Sequence, residues 1–199
     1  MTALYDTIGL GYADLRQPDP SIDRAIRSAL GDAETIVNVG AGGGSYEPIE
    51  KSVVAVELSM TMISQRPPRS APVVQATAMA LPFKPDAFDA SMAVLSVHHW
   101  PDKVRGLREL RRVSRGGVVI LTWDPSFPGF WLTDYIPEVL DTDRPIHPML
   151  HEYETVLGSV EVIDVPIPHN CTDGFMCAYW RRPGAYLDSK VRSAISTFS

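Results

Sequence analysis

The chain has 199 residues, 45% hydrophobic and 21% charged. That size suits one domain, and the composition excludes intrinsic disorder, collagen and coiled coil. With 18 basic against 24 acidic residues the net charge is −6, which argues against a chain-wide nucleic-acid footprint.

Residues 1–20 are mixed, with Tyr5 and Tyr12 ahead of a Pro18-Asp19-Pro20 stop. A helix follows. Ser21 is its expected cap, Asp23 suits the first turn, and Ile22, Ile26, Ala29 and Leu30 recur at helical spacing before Gly31 ends it. Thr35–Val39 reads as a short, β-branched buried strand, and Gly40, Gly42, Gly43 and Gly44 follow at once. Val53–Glu57 is a second strand, Ser59–Gln65 a short helix broken at Pro67-Pro68, Val73-Val74 a third strand, and Phe88–Leu95 a fourth. Pro101–Arg115 reads as a surface helix. Val104, Leu107, Leu110 and Val113 take one half of its circumference, and Arg105, Arg108, Glu109 and Arg112 the other. Gly116-Gly117 stops it and Val118–Trp123 is a fifth strand.

Beyond Asp124 the pattern loosens. Phe127, Pro128, Phe130, Trp131 and Tyr135 form an aromatic stretch, helices are expected at Tyr135–Leu140 and His147–Leu157, a sixth strand at Val160–Val165, and helix again from Asp173 to Ser199. Strands alternating with helices predict an α/β fold with an open, doubly wound parallel sheet. Cys171 and Cys177 are too few for a disulfide scaffold and read as ordinary thiols. No apolar run approaches the length of a membrane span, and the first residues lack the basic and apolar regions of a signal peptide. A cytoplasmic location and no membrane partner are the expectation.

The strongest chemical signal is Val37-Asn38-Val39-Gly40-Ala41-Gly42-Gly43-Gly44, a strand running straight into glycines. Residues without Cβ let a ligand lie against the backbone, and free amides at the carboxyl end of a parallel sheet bind anionic groups. The next strand ends in Glu57, where a carboxylate can accept both hydroxyls of a ribose. The spacing departs from the dinucleotide fingerprint, because the third glycine comes one residue early, and no Gly-Lys-Ser/Thr follows to make a phosphate loop.

These residues resemble the class I S-adenosylmethionine-dependent methyltransferases. Asn38-Val-Gly40-Ala-Gly42-Gly-Gly44 is similar to that family's first motif, and Val54-Ala55-Val56-Glu57-Leu58-Ser59-x-x-Met62 to its second. Ala78-Met79-Ala80-Leu81-Pro82-Phe83 resembles the stretch before the fourth strand. Phe88-Asp89-Ala90 to Ser96-Val97-His98-His99-Trp100 resembles that strand and its exit loop, and Leu110-Arg-Arg-Val113 with Gly116-Gly117 the turn into the fifth. The order is kept over residues 35–123, and the small-molecule subgroup of ubiquinone and menaquinone biosynthesis is the nearest in pattern.

The resemblance implies S-adenosylmethionine as cofactor and a small-molecule acceptor. It implies that Gly40, Ala41, Gly42 and Gly44 receive the methionine part, Asn38 supports that loop, and Glu57 with Leu58 holds the ribose. Thr77, Ala78 and Met79 frame the adenine, Leu95 and Ser96 lie under the sulfonium, and Tyr12 and Arg16 close over the cofactor. His99 is the candidate base. Residues 1–199 then form one domain: 1–31 covers the cofactor, 35–123 is the binding core, and 124–199 is the substrate side. The family usually has Asp at the positions of Asn38 and Thr77, so both hydrogen-bond contributions are reduced, by about 1–2 kcal/mol together. Its antiparallel last strand has no counterpart after Val165, which leaves an outer edge that invites a homodimer.

Other readings stand beside these. His98 and His99 can simply shape their loop. His147 and His151, four apart on an expected helix, have a metal-binding spacing without a third ligand, so no metal is assigned. The arginines of residues 105–115 read as a solvated face rather than an anion patch. No Asn/Asp-Pro-Pro-Tyr/Phe or Pro-Cys motif follows the fourth strand, which disfavours nucleic-acid methylation. A degenerate member that binds without turnover and a nicotinamide oxidoreductase are the alternatives.

Overall fold

The computed structural model describes residues 5–8 and 15–198. Five strands, β1 (Thr35–Val39), β2 (Ser52–Glu57), β3 (Val73–Gln75), β4 (Ala90–Val94) and β5 (Val118–Leu121), form one sheet in the order β3-β2-β1-β4-β5. Every pairing is parallel. The strand order reverses between β1 and β4, which makes the crevice above them the place where α/β folds bind ligands.

The helices are α1 (Tyr5–Ile8), α2 (Pro20–Leu30), α3 (Met60–Ser64), α4 (Lys103–Val113), α5 (Val139–Asp143), α6 (Leu150–Leu157) and α7 (Ser189–Ser193). Two apolar layers cover the sheet, because successive residues of a strand face opposite sides. Ile36, Ala90 and Met92 pack with Ile22, Ile26 and Leu30 of α2. Val37, Val39 and Ala93 pack with Leu107, Leu110 and Val113 of α4.

The central elements lie where the sequence puts them, with shifts at their ends. Asp19, not Ser21, caps α2: its carboxylate accepts the Ser21 N–H at 2.9 Å. Pro20 has no N–H to satisfy and is pre-set for the first helical position, so the start moves back. Helix α4 begins at Lys103 rather than Pro101, capped by Asp102, which accepts the Arg105 N–H at 2.9 Å.

The carboxyl-terminal third departs more. The expected sixth strand over Val160–Val165 is absent from the sheet, and Val162 and Ile163 are more than half exposed. A β-branched run favours an extended backbone, but only a neighbouring strand turns it into sheet. Among the described residues the sheet has no antiparallel strand, as expected. Helix α6 starts at Leu150, so His147 precedes it, buried, while His151 is exposed on it, and the metal-spaced pair is undone. The helical stretch expected from Asp173 to Ser199 becomes short turns at Met176–Tyr179, Pro183–Leu187 and Ser196–Phe198 around α7. Of the helix expected over Tyr135–Leu140 only Val139 and Leu140 are helical, at the start of α5, and a short turn at Trp131–Asp134 precedes it.

Candidate functional site at the carboxyl edge of the sheet

Parallel strands deliver their carboxyl ends to one edge, so the loops after β1, β2, β3 and β4 meet there. The loop after β1 begins with the Gly40 and Ala41 N–H groups donating to the Val56 carbonyl at 2.9 and 3.0 Å. Gly40 has φ 73°, a region that side-chain-bearing residues avoid. A Cβ there would stand 2.6 Å from the Cβ of Ser96. Ser96 Oγ in turn donates to the Val39 carbonyl at 3.0 Å, clamping the ends of β1 and β4 at the reversal point.

A buried ion pair fixes the loop from beneath. Arg66 Nη2 donates to both oxygens of Glu47, at 2.8 and 2.7 Å, and its Nη1 donates to the Gly42 carbonyl at 3.2 Å. Asn38 Nδ2 donates to Glu47 Oε1 at 3.2 Å. The Asn38 side chain is buried, and its Oδ1 has no hydrogen-bond partner. An orphaned acceptor near the end of β1 suits a ligand ammonium, so the residues present fit the methionine end of S-adenosylmethionine. Sequence reasoning missed Glu47 and Arg66. Nothing in their spacing marks them, and only the tertiary fold joins them.

Glu57 ends β2. Its Oε1 accepts the N–H groups of Leu58 and Ser59, both at 2.8 Å, and its Oε2 accepts the Gly42 N–H at 2.8 Å. That corrects the expectation of a carboxylate open to two ribose hydroxyls. Three of its roughly four acceptor positions are taken, leaving one direction on Oε2. Leu58 is exposed at the rim. Beyond β3, Thr77, Ala78 and Met79 form a turn in which the Met79 N–H meets Thr77 Oγ1 at 3.4 Å, with Ala78 buried.

Arg16 lies beside this edge, its carbonyl accepting from Ser45 Oγ at 3.1 Å. Its Nε binds Asp173 Oδ1 at 2.5 Å in a buried pair. Asp6 Oδ1 accepts from Ser59 Oγ at 2.6 Å, and Tyr5 Oη lies 3.0 Å from His99 Nε2, so residues 5 and 6 reach across the ends of β2 and β4. Tyr12 lies outside the described residues.

On the β4–β5 side the edge opens into a cavity of about 60 Å3, room for several waters. Leu95, with φ 49°, borders it, a strained conformation of the kind that clusters at functional sites. His98, His99, Trp123, Asp143, His147 and Met176 supply much of the wall. His98 stacks on His147 with ring centres 4.4 Å apart and lies 3.9 Å from His99. Burial, then the neighbouring imidazoles and the charges of Lys103 and Arg16, pushes His98 down to about 2. Burial, with His147, Arg16 and Lys103, pushes His99 down to about 4. Both are neutral at pH 7. Trp123, Asp143 and Met176 were not anticipated as site residues, and His147 was considered only as half of a metal pair.

The arginine-rich face of α4 is partly self-bound. Arg112 donates to the Leu81 and Phe83 carbonyls at 3.0 and 2.7 Å, and Arg115 pairs with Asp89 at 2.6 Å. Among the described residues, no three His, Cys, Asp or Glu side chains are grouped to hold a metal, and no helix is long and apolar enough to cross a membrane.

Residues 37–122 match the family model described as a methyltransferase domain. The chain is 32% identical over 116 residues to the chloroplastic 2-methyl-6-phytyl-1,4-hydroquinone methyltransferase of Arabidopsis thaliana, covering 52% of this chain and 34% of that one. It is 32% identical over 106 residues to the demethylmenaquinone methyltransferase of Mycobacterium sp. strain KMS, covering 53% and 43%. The matched part thus spans less than half the length of these curated relatives. A solved structure from Anabaena variabilis, assigned to the methyltransferases of an antibiotic biosynthesis pathway, superposes with a TM-score of 0.82. It is 30% identical, and the match covers 92% of this chain and 80% of that one. Fold, strand-end loops and these likenesses agree: the chain belongs to the class I S-adenosylmethionine-dependent methyltransferases.

Proposed function

We propose that this chain transfers the sulfonium methyl of S-adenosylmethionine to a small, hydroquinone-like molecule. The observation that carries the reading is the orphaned Asn38 Oδ1 beside the glycine loop, with a cavity across Ser96. When bound, the cofactor supplies an electrophilic methyl group. The chain's own work is positioning and water exclusion, with reacting atoms held about 3–3.5 Å apart.

Asn38 Oδ1 would accept from the methionine ammonium, and the Gly40–Gly44 loop, whose Gly40, Ala41, Gly42 and Gly44 N–H groups donate within the protein, would lie along the methionine part. Glu57 Oε2 takes one ribose hydroxyl, and Thr77, Ala78, Met79 and Leu58 frame the adenine. Leu95 and Ser96 sit at the junction with the acceptor cavity. In-line transfer would join the acceptor to the methyl carbon with sulfur leaving as the neutral thioether, so what falls to the chain is to hold the acceptor in line and to take its proton. His99, whose Nε2 meets Tyr5 Oη, is the proposed proton acceptor, though burial lowers its affinity for a proton. An acceptor that is already acidic asks least of it. Tyr5 and Arg16 belong to the segment that closes over the crevice, with Arg16 held by Asp173. A cytoplasmic setting and a homodimer through the outer edge of β5 complete the proposal. Sedimentation velocity tests the dimer.

Thermal shift and calorimetry with S-adenosylmethionine, S-adenosylhomocysteine and NADH test the cofactor half. At a hundredfold excess over Kd the first two are expected to raise Tm by roughly 5–10 °C. A shift with NADH alone overturns the reading. Methyl transfer from labelled S-adenosylmethionine to a hydroquinone panel tests turnover, and binding without any labelled product favours the degenerate alternative.

A further inference from the structure

Asp143 is a buried ionisable group that the reading above leaves unused. It ends α5 on the wall of the cavity and is 1% exposed. Its Oδ1 accepts from Thr197 Oγ1 at 3.0 Å, but its Oδ2 is buried with no hydrogen-bond partner. The neighbouring imidazole does not supply one. His147 Nδ1 lies 3.0 Å from the Asp143 backbone carbonyl and donates there. A buried carboxyl oxygen without a partner is costly, and such a group is retained where a ligand completes it. The surrounding walls are aromatic: Trp123 lies edge-on to His147, and His147 stacks on His98.

We propose that the cavity takes the hydroxyl-bearing edge of an aromatic ring, held by Asp143 Oδ2 and bordered by the rings of Trp123, His147 and His98. The inference rests on the methyl-transfer reading and specifies how its acceptor is recognised. A hydroxyl is favoured over an ammonium or a carbonyl for a physical reason. Burial raises the proton affinity of Asp143, with Thr197 and His147 acting the other way. A hydroxyl donates to the ionised carboxylate and accepts from the protonated acid, so it pairs with either form. A carbonyl pairs only with the acid. An ammonium pairs only with the carboxylate, and it would approach a cavity where Arg16 and Lys103 already act on His98 and His99.

The test uses 4-methylphenol, its methyl isostere 1,4-dimethylbenzene, and 4-methylbenzylamine, with Kd measured by NMR titration on the full chain. The wild type is expected to bind the phenol about tenfold or more tightly than the isostere, the range of a hydrogen bond to a buried carboxyl group. Asp143→Leu and Asp143→Ala, each first checked for a native melting transition, are expected to abolish that preference while leaving S-adenosylhomocysteine affinity unchanged. Equal binding of phenol and isostere by the wild type overturns the proposal without need of a variant. So does a preference that survives in either variant, or tighter binding of the amine. Failure of the wild type to bind S-adenosylhomocysteine, with the phenol preference intact, counts against the methyl-transfer reading and not against this subsite.

Discussion

Gly40 to Gly44 and Glu57 meet through backbone amides close in sequence, whereas the cavity across Ser96 is walled by side chains as far apart as Leu95 and Thr197. The first half is fixed by conformation: positive φ, close approach, and a carboxylate capped by N–H groups. The second is fixed by packing, with neutral imidazoles and one half-paired carboxyl group held in an aromatic enclosure. A cofactor common to many enzymes suits the first kind of construction, because its contacts need few particular side chains. An acceptor peculiar to one enzyme suits the second.

That contrast is open to attack. The largest effect is expected at the ion pair beneath the loop, where both side chains are under a tenth exposed. Arg66→Met leaves Glu47 charged and unpaired, and is expected to cost about 3–5 kcal/mol in urea denaturation. The cofactor side should suffer with it, so S-adenosylhomocysteine affinity falls too. Next comes Gly40→Ala, which forces a Cβ against Ser96 at positive φ. It is expected to cost about 2–3 kcal/mol and to weaken S-adenosylhomocysteine binding in calorimetry. Equal binding in this variant would break the claim that the loop works through its backbone.

The cavity side has a pH signature. Native His98 and His99 refuse protons until about 2 and about 4, whereas unfolded imidazoles take them up below 6.5. The unfolded chain therefore binds more protons in that window, and stability falls as pH drops from 6.5 towards 4. Partial exposure reduces the effect to about 1–2 kcal/mol between pH 6.5 and 5, read from urea midpoints. His99→Asn should flatten the slope; an unchanged slope would remove the desolvated imidazoles from the account. The smallest effect is expected at Lys51, whose 3.1 Å contact is with an exposed Glu34. Lys51→Ala should change stability by less than about 1 kcal/mol and leave ligand binding alone.

How much of this was legible follows from how local each cause is. β1 was readable to the residue because four of the five residues of Thr35–Val39 are β-branched and the run stops at glycine. The helix from Ser59 to Gln65 was readable because Ser59 caps it, accepting the Met62 N–H at 3.2 Å. Val160–Val165 misled, because its residues favour extension but nothing in them names a partner strand. The helical reading after Asp173 is broken up similarly: turns there are set by burying Met176, Tyr179 and Tyr186 against the α2 side of the sheet.

By itself, the sequence determined the order of the strands along the chain, the glycine loop and the acid that follows it. These depend on propensities and spacings within a few residues. Only the tertiary structure decided that Arg66 locks Glu47 beneath that loop and that Glu57 spends most of its acceptor capacity on backbone. It alone brought Asp143, His147 and His98 around one cavity. The physical reason is separation: a pattern of residues encodes its own backbone, but a buried side chain's partner is chosen by packing, and packing joins segments that share no local signal.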